Sequence, residues 1–163
     1  MIYYLSEREI RVNLKEYLKG VDAQKQIDKA AKKYKGKRVV LYGAGDFLKI
    51  LDKQYDLSGL NIVGISDVKF GSGWQLHPKY KETIPPKDLK TRDFDVILIT
   101  LLEDLVMLDY LENVLLKETV NKNKKVALFI SPTFSYLIKL AVDKYREKYT
   151  KLKVVREGES YAK

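Results

Sequence analysis

The sequence contains no cysteine, which excludes disulfides and thiolate chemistry, and its single histidine, His77, excludes a histidine-rich metal site. No apolar run approaches the roughly 20 residues needed to cross a bilayer. The opening "MIYYLSEREIRVNLKEY" has no basic region leading into a long apolar stretch, so a cleaved secretory signal is not expected. Together these absences favour a reduced, cytoplasmic setting. Proline is scarce, and three of the four prolines fall between Asp67 and Pro86. That stretch, "DVKFGSGWQLHPKYKETIPP", reads as one long loop in a chain otherwise free of repeats and low-complexity segments.

What is present describes a folded α/β domain. At 163 residues the chain is long enough to bury a real core, and 45% hydrophobic with 33% charged residues is a globular composition. Lys and Arg outnumber acids 31 to 22, a net charge of +9. The basic residues gather in "KQIDKAAKKYKGKR" and "DKYREKYTKLKVVR", laced with acids and tyrosines at helical spacing rather than in unbroken tracts. This distribution argues against nucleic acid as the partner and is compatible with a small anion such as a nucleotide or sugar phosphate.

Periodicity divides the chain into residues 1–36, a helical arm, and residues 37–163, an alternating strand–helix domain. In the arm, Ser6 with Glu9 forms a capping box, Ile10, Leu14, Tyr17, Leu18 and Val21 share a face, and Gly20 interrupts it. A second stretch carries Ile27, Ala30, Ala31 and Tyr34 in register and closes at Gly36. From residue 37, "RVVLY", "LNIVGIS", "FDVILIT" and "KKVALFI" are apolar runs of strand length. Between them lie amphipathic helical stretches, and after Ser131 and Pro132, read as N-cap and first helical residue, comes a long helix. Nearly continuous apolar strands alternating with helices predict a three-layer Rossmann-like domain with a mainly parallel sheet, strand order about 3-2-1-4.

In such a sheet a ligand binds beyond the carboxyl ends of the strands, where "YGAGDF" follows the first strand. Gly43 permits a tight turn, Ala44 links the pair, and Gly45 lets a ligand approach the backbone at a helix start. Two residues speak against a tightly held diphosphate. Leu48 stands where a third glycine often falls, and Asp46 puts a carboxylate in the first helical turn. Asp67 ends the second strand at the distance where an acid meets ribose hydroxyls, its alternative being a turn-forming residue. Lys69 offers charge to a phosphorylated ribose, Trp74 a stacking surface, and His77 the one side chain titrating near neutrality.

The runs "VVLYGAGDFLKIL", "LNIVGISD" and "IPPKDLKTRDFDVILIT" resemble the small Rossmann-like "YGAG" module of bacterial sugar-nucleotide and surface-polysaccharide proteins. That module occurs in polysaccharide epimerase/dehydratase proteins, some sugar acetyltransferases and certain glycan-assembly methyltransferases. The resemblance spans Lys37 to Ile130 and implies a nucleotide, nucleotide-sugar or NAD-like ligand. Its motif positions make Gly43, Ala44, Gly45, Asp46, Phe47, Asp67 and Thr100 the contact candidates, with Lys69, Trp74 and His77 as weaker ones. The expected function is a binding domain in sugar-nucleotide or polysaccharide metabolism, accessory to a separate enzyme. The alternatives are a small homo-oligomeric sugar-nucleotide oxidoreductase or isomerase, and a non-catalytic interaction protein whose glycine turn is a relic.

Overall fold

The computed structural model describes residues 13–71, 79–80, 82–102, 104–117 and 124–159, with the side chains of 104–105 and 149–159 excepted. The chain divides into two compact units, Met1–Ile130 and Ser131–Lys163.

The first unit is built on a five-stranded, all-parallel sheet of order 3-2-1-4-5. Its strands are β1 (Arg38–Tyr42), β2 (Asn61–Ser66), β3 (Thr83–Ile84), β4 (Val96–Ile99) and β5 (Lys125–Leu128). Four of these are the apolar runs legible in the sequence. The fifth, β3, is a two-residue pair inside the stretch read as loop, and it lies in register with Ile65 and Ser66. The run Val96–Ile99 is therefore fourth in the chain and lies beside β1.

Helices α1 (Leu14–Gly20) and α2 (Ala23–Lys33) precede the sheet, and α3 (Asp46–Gln54) joins β1 to β2. Asn13 caps α1, its side chain accepting from the amide of Lys15 at 3.2 Å. The capping box at Ser6 and Glu9 lies outside the described residues. Gln24 anchors α2 to the segment after α3 by a reciprocal pair: its Nε2 donates to the Asp56 carbonyl (3.1 Å) and its Oε1 accepts the Asp56 amide (2.9 Å).

Between β4 and β5 the chain runs through α4 (Asp104–Tyr110) and a π turn, Leu111–Leu115, closed by the Leu116 amide donating to the Leu111 carbonyl at 2.9 Å. The β1–α3–β2 and β4–α4–β5 crossovers run in opposite directions along the sheet, so right-handedness puts α3 and α4 on opposite faces. Register fixes what each face carries. Val40, Tyr42, Ile97 and Ile99 point to the α4 face and pack with Ile84, Leu89, Phe94, Leu111 and Leu116 in one buried cluster. Val39, Leu41, Val96 and Leu98 point the other way and are buried, as are Leu18, Ile27, Leu48 and Leu51 on α1–α3. Each large aliphatic side chain so buried contributes about 1.5–3 kcal/mol.

The second unit holds α5 (Phe134–Glu159), a 26-residue helix. Its N-cap is Thr133 rather than Ser131: the Thr133 hydroxyl accepts the Tyr136 amide at 3.3 Å and its carbonyl accepts the Leu137 amide at 3.0 Å. A side chain at this position satisfies an orphan amide of the first turn, and Pro132 lies just before the cap. Among the described residues no helix is long and apolar enough to cross a membrane.

Candidate functional site

The sheet order reverses direction between β1 and β4, and the loops leaving β1, β2 and β4 meet beyond their carboxyl ends. The glycine turn, Asp67 and Thr100 all lie there, as the sequence predicts.

The two glycines do different work. Gly43 sits at φ +112°, and a Cβ on it would lie 2.7 Å from the Leu101 side chain and 2.9 Å from the Thr100 carbonyl oxygen. Both conformation and space demand glycine there. Gly45 is the N-cap of α3 at φ −86°, and a Cβ on it would meet nothing within 4 Å among the described residues. Neither strain nor packing requires glycine at that position.

Thr100 is fully buried, and its hydroxyl shares its one proton between the carbonyls of Tyr42 (2.9 Å) and Gly43 (2.6 Å). With the Thr100 amide on the Tyr42 carbonyl and the Gly43 amide on that of Ser66, both at 2.8 Å, the base of the turn is tied to both neighbouring strands. Phe47 is buried at the start of α3. Asp46, in the first turn of α3, is exposed and pairs with Lys49 at 3.1 Å. Its carboxylate complements the helix dipole there, an interaction worth little at such exposure.

Asp67 closes the turn from the side. One carboxylate oxygen accepts the Ala44 amide at 2.7 Å, and the other accepts the Lys69 amide at 2.9 Å. Lys69 returns its ammonium to the Ala44 carbonyl at 2.7 Å. Both backbone groups of Ala44 are thus engaged, and an amide that a phosphate would otherwise use is on a carboxylate. A carboxylate accepts up to about four hydrogen bonds, so Asp67 retains acceptor capacity.

Two residues at this end carry no motif signal. Tyr42 and Ser66, the last residues of β1 and β2, are in register with each other and 1% and 0% exposed. Neither hydroxyl has a hydrogen-bond partner among the described residues. Burial, reinforced by the nearby Tyr110 and Asp67, pushes the Tyr42 phenol up to about 12, so it stays a neutral donor across the physiological range. An aromatic ending an apolar run reads as core in sequence. The signal that it is more than core is a hydroxyl on each of two adjacent strands just before "GAG" and "D".

Trp74 and His77 lie outside the described residues. Beyond them the chain is secured to α3 at Asp52, which pairs with Lys79 at 2.9 Å and accepts a hydrogen bond from the Tyr80 hydroxyl. Burial and that bond to Asp52 raise the Tyr80 phenol well above its ordinary range. Among the described residues no three His, Asp or Glu side chains gather as metal ligands. A cleft of about 190 Å³ lies toward the opposite, amino end of the sheet, lined by Val40, Val63, Ile84 and Phe94 with Glu82, Arg92 and Asp93. It is separate from the glycine turn. No protein-family model, curated protein or solved structure matches the chain, so the site is read from its own geometry.

Proposed function

We propose that the chain binds a nucleotide or nucleotide-sugar, with NAD as one form of it, at the carboxyl end of its sheet. On this reading it serves sugar-nucleotide or polysaccharide metabolism as an accessory to a separate enzyme. The observation that carries the reading is the pair of buried hydroxyls of Tyr42 and Ser66, which have no hydrogen-bond partner among the described residues, beside Asp67. Buried polar groups left unpaired cost stability, and a ligand bearing hydroxyls would satisfy them once the side chains that close them from solvent shift aside. Asp67, held by the Ala44 and Lys69 amides, has acceptor capacity for a ribose or sugar diol.

The geometry favours the sugar part of such a ligand over its phosphates. Ala44 offers no free amide, and Asp46 and Asp67 bring negative charge to the turn. A phosphate would rely on Gly45, the first amides of α3 and the ammonium of Lys69. Lys69 is exposed, and exchanging its bond to the Ala44 carbonyl for a phosphate is an inexpensive step.

The test is a thermal-shift panel of NAD, NADP, UDP-glucose, ATP, adenosine and uridine on the wild-type chain and on Gly45→Val. The open space at Gly45 lets this variant fold, at a cost of about 1 kcal/mol for a poorer N-cap. A shift with a nucleotide or nucleotide-sugar that Gly45→Val abolishes supports the reading. Silence across the panel overturns it in favour of a turn kept for packing, the reading that the Asp67–Ala44–Lys69 closure favours.

A further inference from the structure

Exposed large apolar side chains are concentrated on two helical segments. Leu102, before α4, and Val106, Tyr110 and Val114, on α4 and its π turn, stand 54%, 68%, 38% and 63% exposed. They follow one another at intervals of four. On a helix of 3.6 residues per turn that spacing drifts around the axis, and the wider π turn from Leu111 offsets the drift, holding Val106, Tyr110 and Val114 in one stripe. Their inward neighbours Met107 and Leu108 pack on the core, so the stripe is surplus to it.

In α5, Phe134, Leu137, Ile138, Leu140, Val142 and Tyr145 are between 41% and 79% exposed. Polar residues of the first turns fall on one line, Ser135, Lys139 and Asp143, and most of the remaining circumference is apolar. A helix apolar over so much of its girth is ordinarily buried.

The charges flanking the two surfaces are opposite. From Val106 to Leu116 the chain carries Asp109 and Glu112 and no base. Between Phe134 and Lys148 it carries Lys139, Lys144, Arg146 and Lys148 against Asp143 and Glu147. An acidic apolar stripe and a basic apolar helix are complementary, and every copy of the chain supplies one of each.

We propose that these surfaces are the two halves of a self-association interface. The basic apolar face of α5 in one copy lies along the Val106–Val114 stripe of a second copy, and the reciprocal contact closes a two-fold dimer. The surfaces match in both polarity and charge, which a lipid surface could offer to α5 but not to the acidic stripe.

The experiment is light scattering on the full chain, with Val106→Glu and Leu137→Glu studied alone and mixed in equal amounts. Both positions are exposed, so both variants keep the fold, which circular dichroism and thermal melting verify. The wild type is expected at twice the 18.9 kDa chain mass and each variant alone at the mass of one chain. Mixing is expected to restore the dimer mass, because a mixed pair retains one contact with an intact stripe and an intact helix. A wild-type monomer overturns the proposal. So does a dimer that Leu137→Glu breaks and Val106→Glu leaves intact, which is the signature of α5 pairing with α5. A monomer that binds phosphatidylserine vesicles through Leu137 overturns it in favour of a membrane surface.

Discussion

The two ends of the parallel sheet handle their polar groups in opposite ways. At the amino end charged side chains tie neighbouring strands and loops together. Asp95 accepts the Arg38 amide at 2.7 Å and its guanidinium Nε at 3.3 Å, while the same guanidinium pairs with Asp93. Lys124 donates to the carbonyls of Leu89 (3.1 Å) and Arg92 and lies 4.2 Å from the centroid of the Phe94 ring, and burial lowers its pKa. At the carboxyl end, among the described residues, two buried hydroxyls have no hydrogen-bond partner and Gly45 has no neighbour that a Cβ would meet, while a carboxylate holds acceptor capacity in reserve. One end is built to join strands. The other gives up stability at the place where parallel sheets bind ligands.

The sharpest break in that contrast is within the carboxyl end itself, between its two glycines. Gly43→Ala combines a left-handed backbone with overlap against Leu101 and the Thr100 carbonyl, costing about 2–5 kcal/mol of strain and overpacking. In a chain of this length that lowers the melting temperature by about 10 °C. Gly45→Ala should cost no more than a poorer N-cap, about 1 kcal/mol. Equal losses at the two positions would mean that Gly45 is packed as tightly as Gly43, and the open approach to the turn would be lost.

At the amino end, Asp95→Asn should lower the urea midpoint by the equivalent of about 1.5 kcal/mol, the worth of hydrogen bonds to a charged group. Asp93→Asn, at a carboxylate 75% exposed, should change it far less. The Arg38 amide and then its guanidinium hold the Asp95 carboxyl below the ordinary range. A depressed folded pKa gives stability that is present above the unfolded value of about 3.9 and lost as pH falls through the folded one. The difference between wild type and Asp95→Asn should therefore shrink as acid is added below about pH 4. A difference independent of pH would remove the charge from the explanation.

Much of this arrangement is legible in the sequence because it follows from local pattern. β1, β2, β4 and β5 are apolar runs bounded by turn residues, and "YGAG" marks the end of the first. β3 is not legible, because two residues beside a proline pair carry no period. The π turn is equally silent, since it differs from α only in which carbonyl each amide reaches. At the site, spacing brings Asp67 to the glycine turn but cannot say which hydrogen bonds it spends there. That depends on the Ala44 amide and on Lys69, two residues further along. Tyr42 and Ser66 carry no sequence signal for a related reason: whether a buried hydroxyl has a partner is a property of three dimensions.

Those hydroxyls supply the next test. If they are unpaired in the free chain, Tyr42→Phe and Ser66→Ala should each raise stability, by about 0.5–1 kcal/mol in a urea titration with unchanged slope. The same substitutions should weaken whichever panel ligand shifts the wild type. Stabilisation joined to weaker binding would sharpen the contrast between the ends. Destabilisation by either substitution would show that its hydroxyl is already paired, and the contrast between the ends would be lost.

The smallest effect is the titration of Tyr42 itself. Its phenol, pushed up to about 12 chiefly by burial, should be silent in tyrosinate absorbance where an ordinary tyrosine, near about 10, is already ionising. With twelve tyrosines in the chain, the measurement is the difference between wild type and Tyr42→Phe across an alkaline series. A raised folded pKa gives stability that is whole below the unfolded value and lost as pH rises through the folded one, here between about 10 and about 12. The advantage of Tyr42→Phe in urea should accordingly grow above pH 10 and be constant below it. A difference spectrum that ionises near 10 would place the hydroxyl in water, and an unpaired hydroxyl in water costs nothing and needs no ligand.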